Sequence, residues 1–349
     1  MRSSAASVGI VLTLIARLMA QDPVEGVRST VVPENAVPEN AVPEFDIVEY
    51  QGQSQKIDAW SESTSVQLQG EIKQLDGGRL VMIEAGGAPR TIPSEQIIRV
   101  APFWRNAAAQ QVHQQFVKGN TKEVVKGVPE ALKSGLVQWQ QRLLISELVQ
   151  SVDALGNPRA AGIYFLSLAK SDPPHFLYAD IPLCWGVCEP DAAMREQTQK
   201  WLQDDAEAAR LIGASWLLFS EQADEAKRAL TQLLRSQNSA IAQIAASQGW
   251  RLTLPPQTMS NLAGWLEQRD KLIPPLQLGP TEFIADRLMR IGQTDLAVGQ
   301  WMRIASQHAE RPYRALRALQ SAAAQLNRSG RDEEAQRLAA WIEKLAPTK

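Results

Sequence analysis

The sequence predicts a mainly α-helical protein, a stack of helical hairpins preceded by a small β-module. Two observations carry this. Five times a turn residue is followed, five places later, by a small or apolar residue: Gly119/Val124, Gly156/Ala161, Glu221/Ala226, Gly292/Ala297 and Gly330/Ala335. Ahead of these pairs, from about Phe45 to Val100, the texture is one of short alternating apolar runs punctuated by glycine.

The N-terminus carries Arg2, an apolar stretch from Ala5 to Ala16, and Leu18-Met19-Ala20 before polar Gln21-Asp22-Pro23. That order of charge, apolar core and small residues is the order of a secretory signal, and the core is too short to span a bilayer. Residues 1–20 are therefore expected to be cleaved after Ala20, with export to a periplasmic or extracellular location; Arg17 beside the core makes an uncleaved anchor the alternative. No later segment is apolar enough to cross a membrane, so no integral span is expected in the mature chain. Residues 21–44 contain a pentapeptide echo, Val32-Pro33-Glu34-Asn35-Ala36, repeated from Val37 and begun again at Val42. Rich in proline and poor in large apolar groups, this stretch reads as a flexible spacer.

Residues 45–102 are expected to form the β-module. Val66 to Leu75 alternates around Gly70, and Asp76-Gly77-Gly78 turns into a returning strand from Arg79 to Glu84. Arg90 to Ile92 and Ile97 to Val100 make two more strands around the Pro93-Ser94-Glu95-Gln96 corner. Gly70 inside a strand predicts a bulge or bend that lets the sheet curl into a small barrel, leaning on the helices through Phe103 and Trp104. Four short, strongly bent strands resemble the minimal barrels of the SH3-like and Sm-like kind.

Residues 103–349 are expected to form the helical stack. Glycine accepts the left-handed conformation that ends a helix, and a small residue on the next helix lets the two approach closely. After Gly330, acidic Asp332, Glu333 and Glu334 suit a first helical turn. Ala335, Leu338, Ala339 and Ile342 then continue an apolar stripe that Pro347 stops. Gly156, Ala161, Phe165, Leu168, Ala169 and Pro173 repeat the series, and Gly292 matches at Ala297, Trp301 and Ile304. This small–aromatic/small–apolar–Pro series resembles the second half of a tetratricopeptide repeat, a helical hairpin recurring at about 34 residues. The resemblance implies a TPR-like α-solenoid whose concave face binds proteins or peptides. A HEAT-like or irregular helical stack shares the same packing rule and is the alternative.

Motifs for catalysis are absent. His113, His175 and His308 lie far apart, with no spacing that puts two ligands on one helical face, and each reads as a surface or capping residue. His308, near a predicted helix end, would suit the negative end of the dipole. There is no nucleophile elbow, phosphate loop or dinucleotide fingerprint, so no enzyme activity, cofactor or metal is expected. The balance of 36 basic and 38 acidic residues gives no broad basic face for nucleic acid. Cys184 and Cys188 flank Trp185-Gly186-Val187, a spacing unlike a redox or haem motif. A disulfide closing this loop is the favoured reading for an exported chain; free thiols and a metal site are the alternatives. Core packing accounts better for the tryptophans than a carbohydrate face does, notably for Trp301 and Trp341 on apolar stripes.

One surface feature stands out. Arg311, Arg314 and Arg317 recur at threes along a predicted helix, with Arg328 and Arg331 at its far end. Such a face is either solvated or receives an acidic peptide, a carboxylate or an anionic polymer. The sequence therefore predicts an exported, non-catalytic scaffold that binds a protein or peptide partner. The alternative is a binder of anionic envelope polysaccharide using the arginine face.

Overall fold

A computed structural model describes residues 45–52, 65–186 and 188–345. The expected signal, spacer and Pro347 lie outside the described residues. Within them the protein is mainly helical, with one small antiparallel sheet and no helix long and apolar enough to cross a membrane.

The sheet comprises β1 (Asp46–Gln51), β2 (Ser65–Leu75), β3 (Arg79–Glu84), β4 (Pro89–Pro93) and β5 (Ile97–Ala101), in the order β4-β3-β2-β1-β5. The strands expected from the sequence are present, and β1 precedes them. Its polar Asp46 and Glu49 mask the signal, yet Val48 is fully buried. Gly70 is the handover point of the long β2, which pairs with β1 up to Gly70 and with β3 from Gly70 onward. A Cβ at Gly70 would collide with the Ile83 carbonyl, while the irregular register lies beyond it, between Ile72 and Gln74. The expected barrel is corrected: the sheet stays open, with β4 and β5 as its two edges. The β5 edge has no need to pair with β4, because the 3-10 segments His175–Asp180 and Pro274–Gln277 pack against it.

Thirteen α-helices follow among the described residues. They are α1 (Ala107–Val117), α2 (Thr121–Leu132), α3 (Gln138–Ala154), α4 (Pro158–Ala169), α5 (Ala192–Leu202), α6 (Glu207–Leu217) and α7 (Ala223–Leu233). Next come α8 (Ser239–Gly249), α9 (Thr258–Asp270), α10 (Leu278–Arg290), α11 (Thr294–Gln307), α12 (Pro312–Arg328) and α13 (Asp332–Leu345). Consecutive helices pack together through most of this series.

Four of the hairpin turns share one backbone geometry. Gly119, Gly156, Gly292 and Gly330 all adopt positive φ, between 73° and 77°. At each, the glycine N–H reaches back three residues and the following N–H reaches back five, as in Gly292 to Met289 (3.0 Å) and Gln293 to Leu288 (2.9 Å). This is the Schellman cap, which satisfies two carbonyls left over at the helix end. The residue after the glycine starts the next helix, and its carbonyl accepts from the residue four further on: Val124, Ala161, Ala297 or Ala335. The spacing of five is thus set by the cap plus the first helical bond. Val124, Ala161 and Ala297 are fully buried, and Ala335 nearly so. At Glu221 the turn is made without positive φ, although Ala226 still makes the first bond, to Gln222, and is fully buried.

Two hydrophobic cores result. One runs from the sheet through α1–α8 to Leu276; the other joins α9–α13 with Trp250. Polar side chains tie the parts together. Asp46 accepts from Ile72 N (2.9 Å) and Phe103 N (2.8 Å), clipping β1 to β2 and to the start of the helices. Buried Arg142 on α3 donates to the carbonyls of Leu75 and Ser171, holding the β2–β3 turn against the end of α4. Across the two cores, Arg311 Nε donates to Asp180 Oδ1 at 2.9 Å, and Ser146 donates to the other carboxylate oxygen at 2.6 Å. Both members of this ion pair are buried.

Two outcomes are expected in urea unfolding. Gly292→Ala meets no atom within 4 Å and so suffers only left-handed strain, costing about 1 kcal/mol, with Gly292→Asn milder. Asp180→Ala leaves the Arg311 guanidinium buried and short of a counter-charge, costing roughly 3 kcal/mol or more. A loss below about 1 kcal/mol would assign that pair a merely superficial role.

Candidate functional site

The loop joining the 3-10 segment His175–Asp180 to α5 is anchored by a disulfide and several side-chain hydrogen bonds. Cys184 and Cys188 are joined in a disulfide. Ser215 on α6 clasps Cys184 from both sides, accepting from its N–H (2.9 Å) and donating to its carbonyl (3.1 Å). Trp216 Nε1 donates to Pro182 O at 3.0 Å, and Arg251 Nη2 donates to Gly186 O at 3.1 Å. Trp185 packs against both hydrophobic cores. Its indole lies flat on Gly279 near the start of α10, where any Cβ would overlap the ring.

This loop forms a ridge with a hollow on either side. The larger, about 460 Å³, is bounded by the ends of α3 and α10, by α12 and by the loop. Trp185, Trp216, Trp301 and Tyr313 supply its apolar surface; Asp153, Glu282, Asp286, Arg290, Arg314 and Arg317 supply its charged groups. The smaller, about 260 Å³, lies between the loop, the Phe219 turn, residues 251–255 and α10. Trp185, Gly186, Cys188, Asp286 and Arg290 line both hollows, so they form one cleft around the disulfide.

The electrostatics of the larger hollow are mixed. Burial pushes the Asp153 carboxyl above its ordinary value, and burial together with Glu282 does the same to Asp286. Arg317 is held above its ordinary value, against burial, by Glu282, Tyr313, Asp286 and Asp153. Arg314 Nη2 donates to Glu282 Oε2 at 2.5 Å. The hollow therefore offers paired charges of both signs beside aromatic rings.

The expected arginine face is corrected by these contacts. Arg311 is only 5% exposed and spent on Asp180 and Glu310, since a residue at the start of α12 faces the loop beneath it. Arg314 is paired with Glu282, and Arg331 is paired with Asp295 and Glu334. Arg317 alone of the three reaches the cleft without an ion pair among the described residues. The histidines differ from their expected surface roles too. His308 does cap α11, but it is buried rather than on the surface, and burial lowers its pKa. Against the burial that would raise it, His308 and Arg311 draw the neighbouring Glu310 down to about 2. His113 Nδ1 lies 2.6 Å from Glu147 Oε1, and His175 Nδ1 lies 3.0 Å from Ser94 Oγ. Burial would lower His113, but Glu147 outweighs it and the net shift is upward.

The tryptophans divide. Trp139, Trp201, Trp250, Trp265 and Trp301 are buried, whereas Trp185, Trp216 and Trp341 are half-buried. Gly156, Gly292 and Gly330 sit in the turns described above, and Pro173 is buried in the turn after α4. Of these, Gly156, Trp185, Trp216 and Trp301 line the cleft. Among the described residues no three His, Cys, Asp or Glu side chains converge where a metal could be held.

Sequence reasoning missed Arg251, Arg287, Asp153, Asp286 and Gly279. One signal was present for Arg251: it stands alone in Trp250-Arg251-Leu252-Thr253-Leu254-Pro255-Pro256, a cation inside an apolar run. The chain matches no protein-family model, no curated protein and no solved structure.

Gly279→Ala is expected to lift the Trp185 indole off α10 and cost about 1–3 kcal/mol through overpacking. Fluorine NMR of fluorotryptophan-labelled protein checks this: the Trp185 resonance should move while that of Trp265 stays in place.

Proposed function

We propose that this protein is an exported, non-catalytic binding protein that takes a polypeptide segment into the cleft around the Cys184–Cys188 loop. The observation that carries the reading is the composition of that cleft: half-buried aromatic rings interleaved with carboxylates and guanidiniums, on walls fixed by a disulfide and several helices. Aromatic rings supply apolar area at low entropic cost, and paired charges give register, which suits a mixed polar and apolar chain.

Export is supported by the signal-like order of residues 1–20 and by the disulfide, which belongs to an oxidising compartment. The TPR-like reading of the helical part is supported by four identical glycine turns, each followed at the same spacing by a buried Val or Ala. The stack is not open along its length, however. The start of α12 returns to the 3-10 segment His175–Asp180 through Arg311, and the proposed binding surface is consequently a short cleft rather than a long concave face. An anionic polysaccharide would need a run of free guanidiniums, and Arg311 and Arg314 are already neutralised.

A photo-crosslinking residue at Ser321, at the cleft wall, tests the proposal against the same residue at Arg328, on the exposed end of α12. Position-dependent capture of a polypeptide at Ser321, unchanged at high salt, is expected. Recovery of polysaccharide alone, released by salt, would defeat it.

A further inference from the structure

The smaller hollow holds an imbalance of charge that the fold does not resolve. Arg251 is 3% exposed and Arg287 is 8% exposed, yet neither forms an ion pair with any carboxylate among the described residues. Other buried arginines are treated differently: Arg269 is bridged to Asp270, Arg311 to Asp180 and Glu310, and Arg142 feels Asp172 and Asp76. Arg251 instead donates to Ser215 O, Gln248 Oε1, Cys184 Sγ and Gly186 O, and its Nε–H has no acceptor. Arg287 gives one bond, 3.1 Å to the Arg251 carbonyl, and its guanidinium lies 5.2 Å over the Phe283 ring, as that of Arg251 lies 5.3 Å over Phe219. Burial, aggravated by Arg287, pushes Arg251 down to about 10. Arg290 adds a third cation, and Asp286 is the single carboxylate lining the hollow beside these three arginines. Aromatic faces and carbonyls compensate buried cations less than a carboxylate does, so the site favours an entering anion.

The rim says what the anion is attached to. Phe219 (64% exposed) and Leu254 (63%) are the two most exposed large apolar side chains among the described residues, and with exposed Leu252 they line this one hollow of about 260 Å³. From it, the shared residues Trp185, Asp286 and Arg290 lead into the larger hollow of mixed polarity. A simple fatty acid would satisfy the arginines and the rim but not that continuation, whereas a polypeptide would satisfy all three.

We infer that the hollow between Arg251, Arg287 and the Phe219–Leu254 rim binds the free C-terminal carboxylate of a peptide whose last side chain is large and apolar. The inference rests on the peptide-binding reading above and specifies which end of the peptide docks and where. The carboxylate accepts from Arg287 and Arg290, the final side chain fills the space against Phe219 and Leu254, and the preceding residues run past Trp185 toward Trp301 and Tyr313.

The test uses the full mature chain, immobilised, and two synthetic peptide libraries with randomised interiors. One ends in phenylalanine, leucine or glutamate as the free acid; the other is the same library as C-terminal amides. Free acids ending in phenylalanine or leucine should be retained about tenfold or more over their amides, the range expected for a charge-assisted hydrogen bond. Arg287→Gln should remove that preference, lowering retention of the free acids to the level of their amides. Equal retention of acids and amides would overturn the carboxylate site and leave peptide binding standing. No retention from either library would overturn both, and decanoate binding in that case would redefine the ligand as a free apolar acid.

Discussion

The buried ion pair between Asp180 and Arg311 is the constraint on which the arrangement of this protein turns. Asp180 ends the 3-10 segment that caps the first core, and Arg311 begins the helix that leads the second core back to it. A helical stack bound only by neighbour-to-neighbour contacts would curve away from its own start. Here a long-range charge pair, separated by 131 residues, fixes where the chain returns. Ser146 on α3 saturates the second carboxylate oxygen, and Glu310 shares the guanidinium, so neither charge is left partly solvated. Around this point the β5 edge, the two 3-10 segments and the α11–α12 turn come together, which is why the sheet can remain open without exposing that edge.

The local rules of the chain were legible. The five-residue spacing after glycine is a consequence of two backbone bonds, so it is written wherever a glycine ends one helix and the next begins at once. The alternating runs around Gly70 and Asp76-Gly77-Gly78 likewise encode strands and a turn that depend only on near neighbours. What sequence could not yield was closure. Whether four strands curl into a barrel depends on what else covers their edges, and the covering segments lie as far away as Pro274. β1 was missed for the related reason that its burial comes from both neighbouring strands rather than from its own alternation.

The candidate site was less legible because its parts meet only through that closure. Arg311, Arg314 and Arg317 look alike on a helical wheel, yet one is locked to Asp180, one to Glu282, and one faces the cleft. Periodicity places side chains on a face; it does not say which acids of distant helices will meet them. The cysteine pair was visible as chemistry, but its position between the two cores was not, since Trp185 reaches Gly279 only when α10 is brought alongside.

A disulfide closing so short a loop removes little chain entropy and adds modestly to global stability. Its weight lies in geometry. With Cys184 clasped by Ser215 and Trp185 pressed onto Gly279, the loop becomes a fixed wall for both hollows, and the groups lining them are held apart as well as in place. Arg251 shows the consequence most clearly. It is buried by that wall, bonded to carbonyls and to sulfur, and denied the carboxylate that Arg311 receives at the α11–α12 turn. A fold selected for stability alone would set an acid there, as it does at Asp180. Departures from such local consistency are expected where a protein keeps an interaction in reserve for a partner, and the departure here coincides with the exposed Phe219 and Leu254.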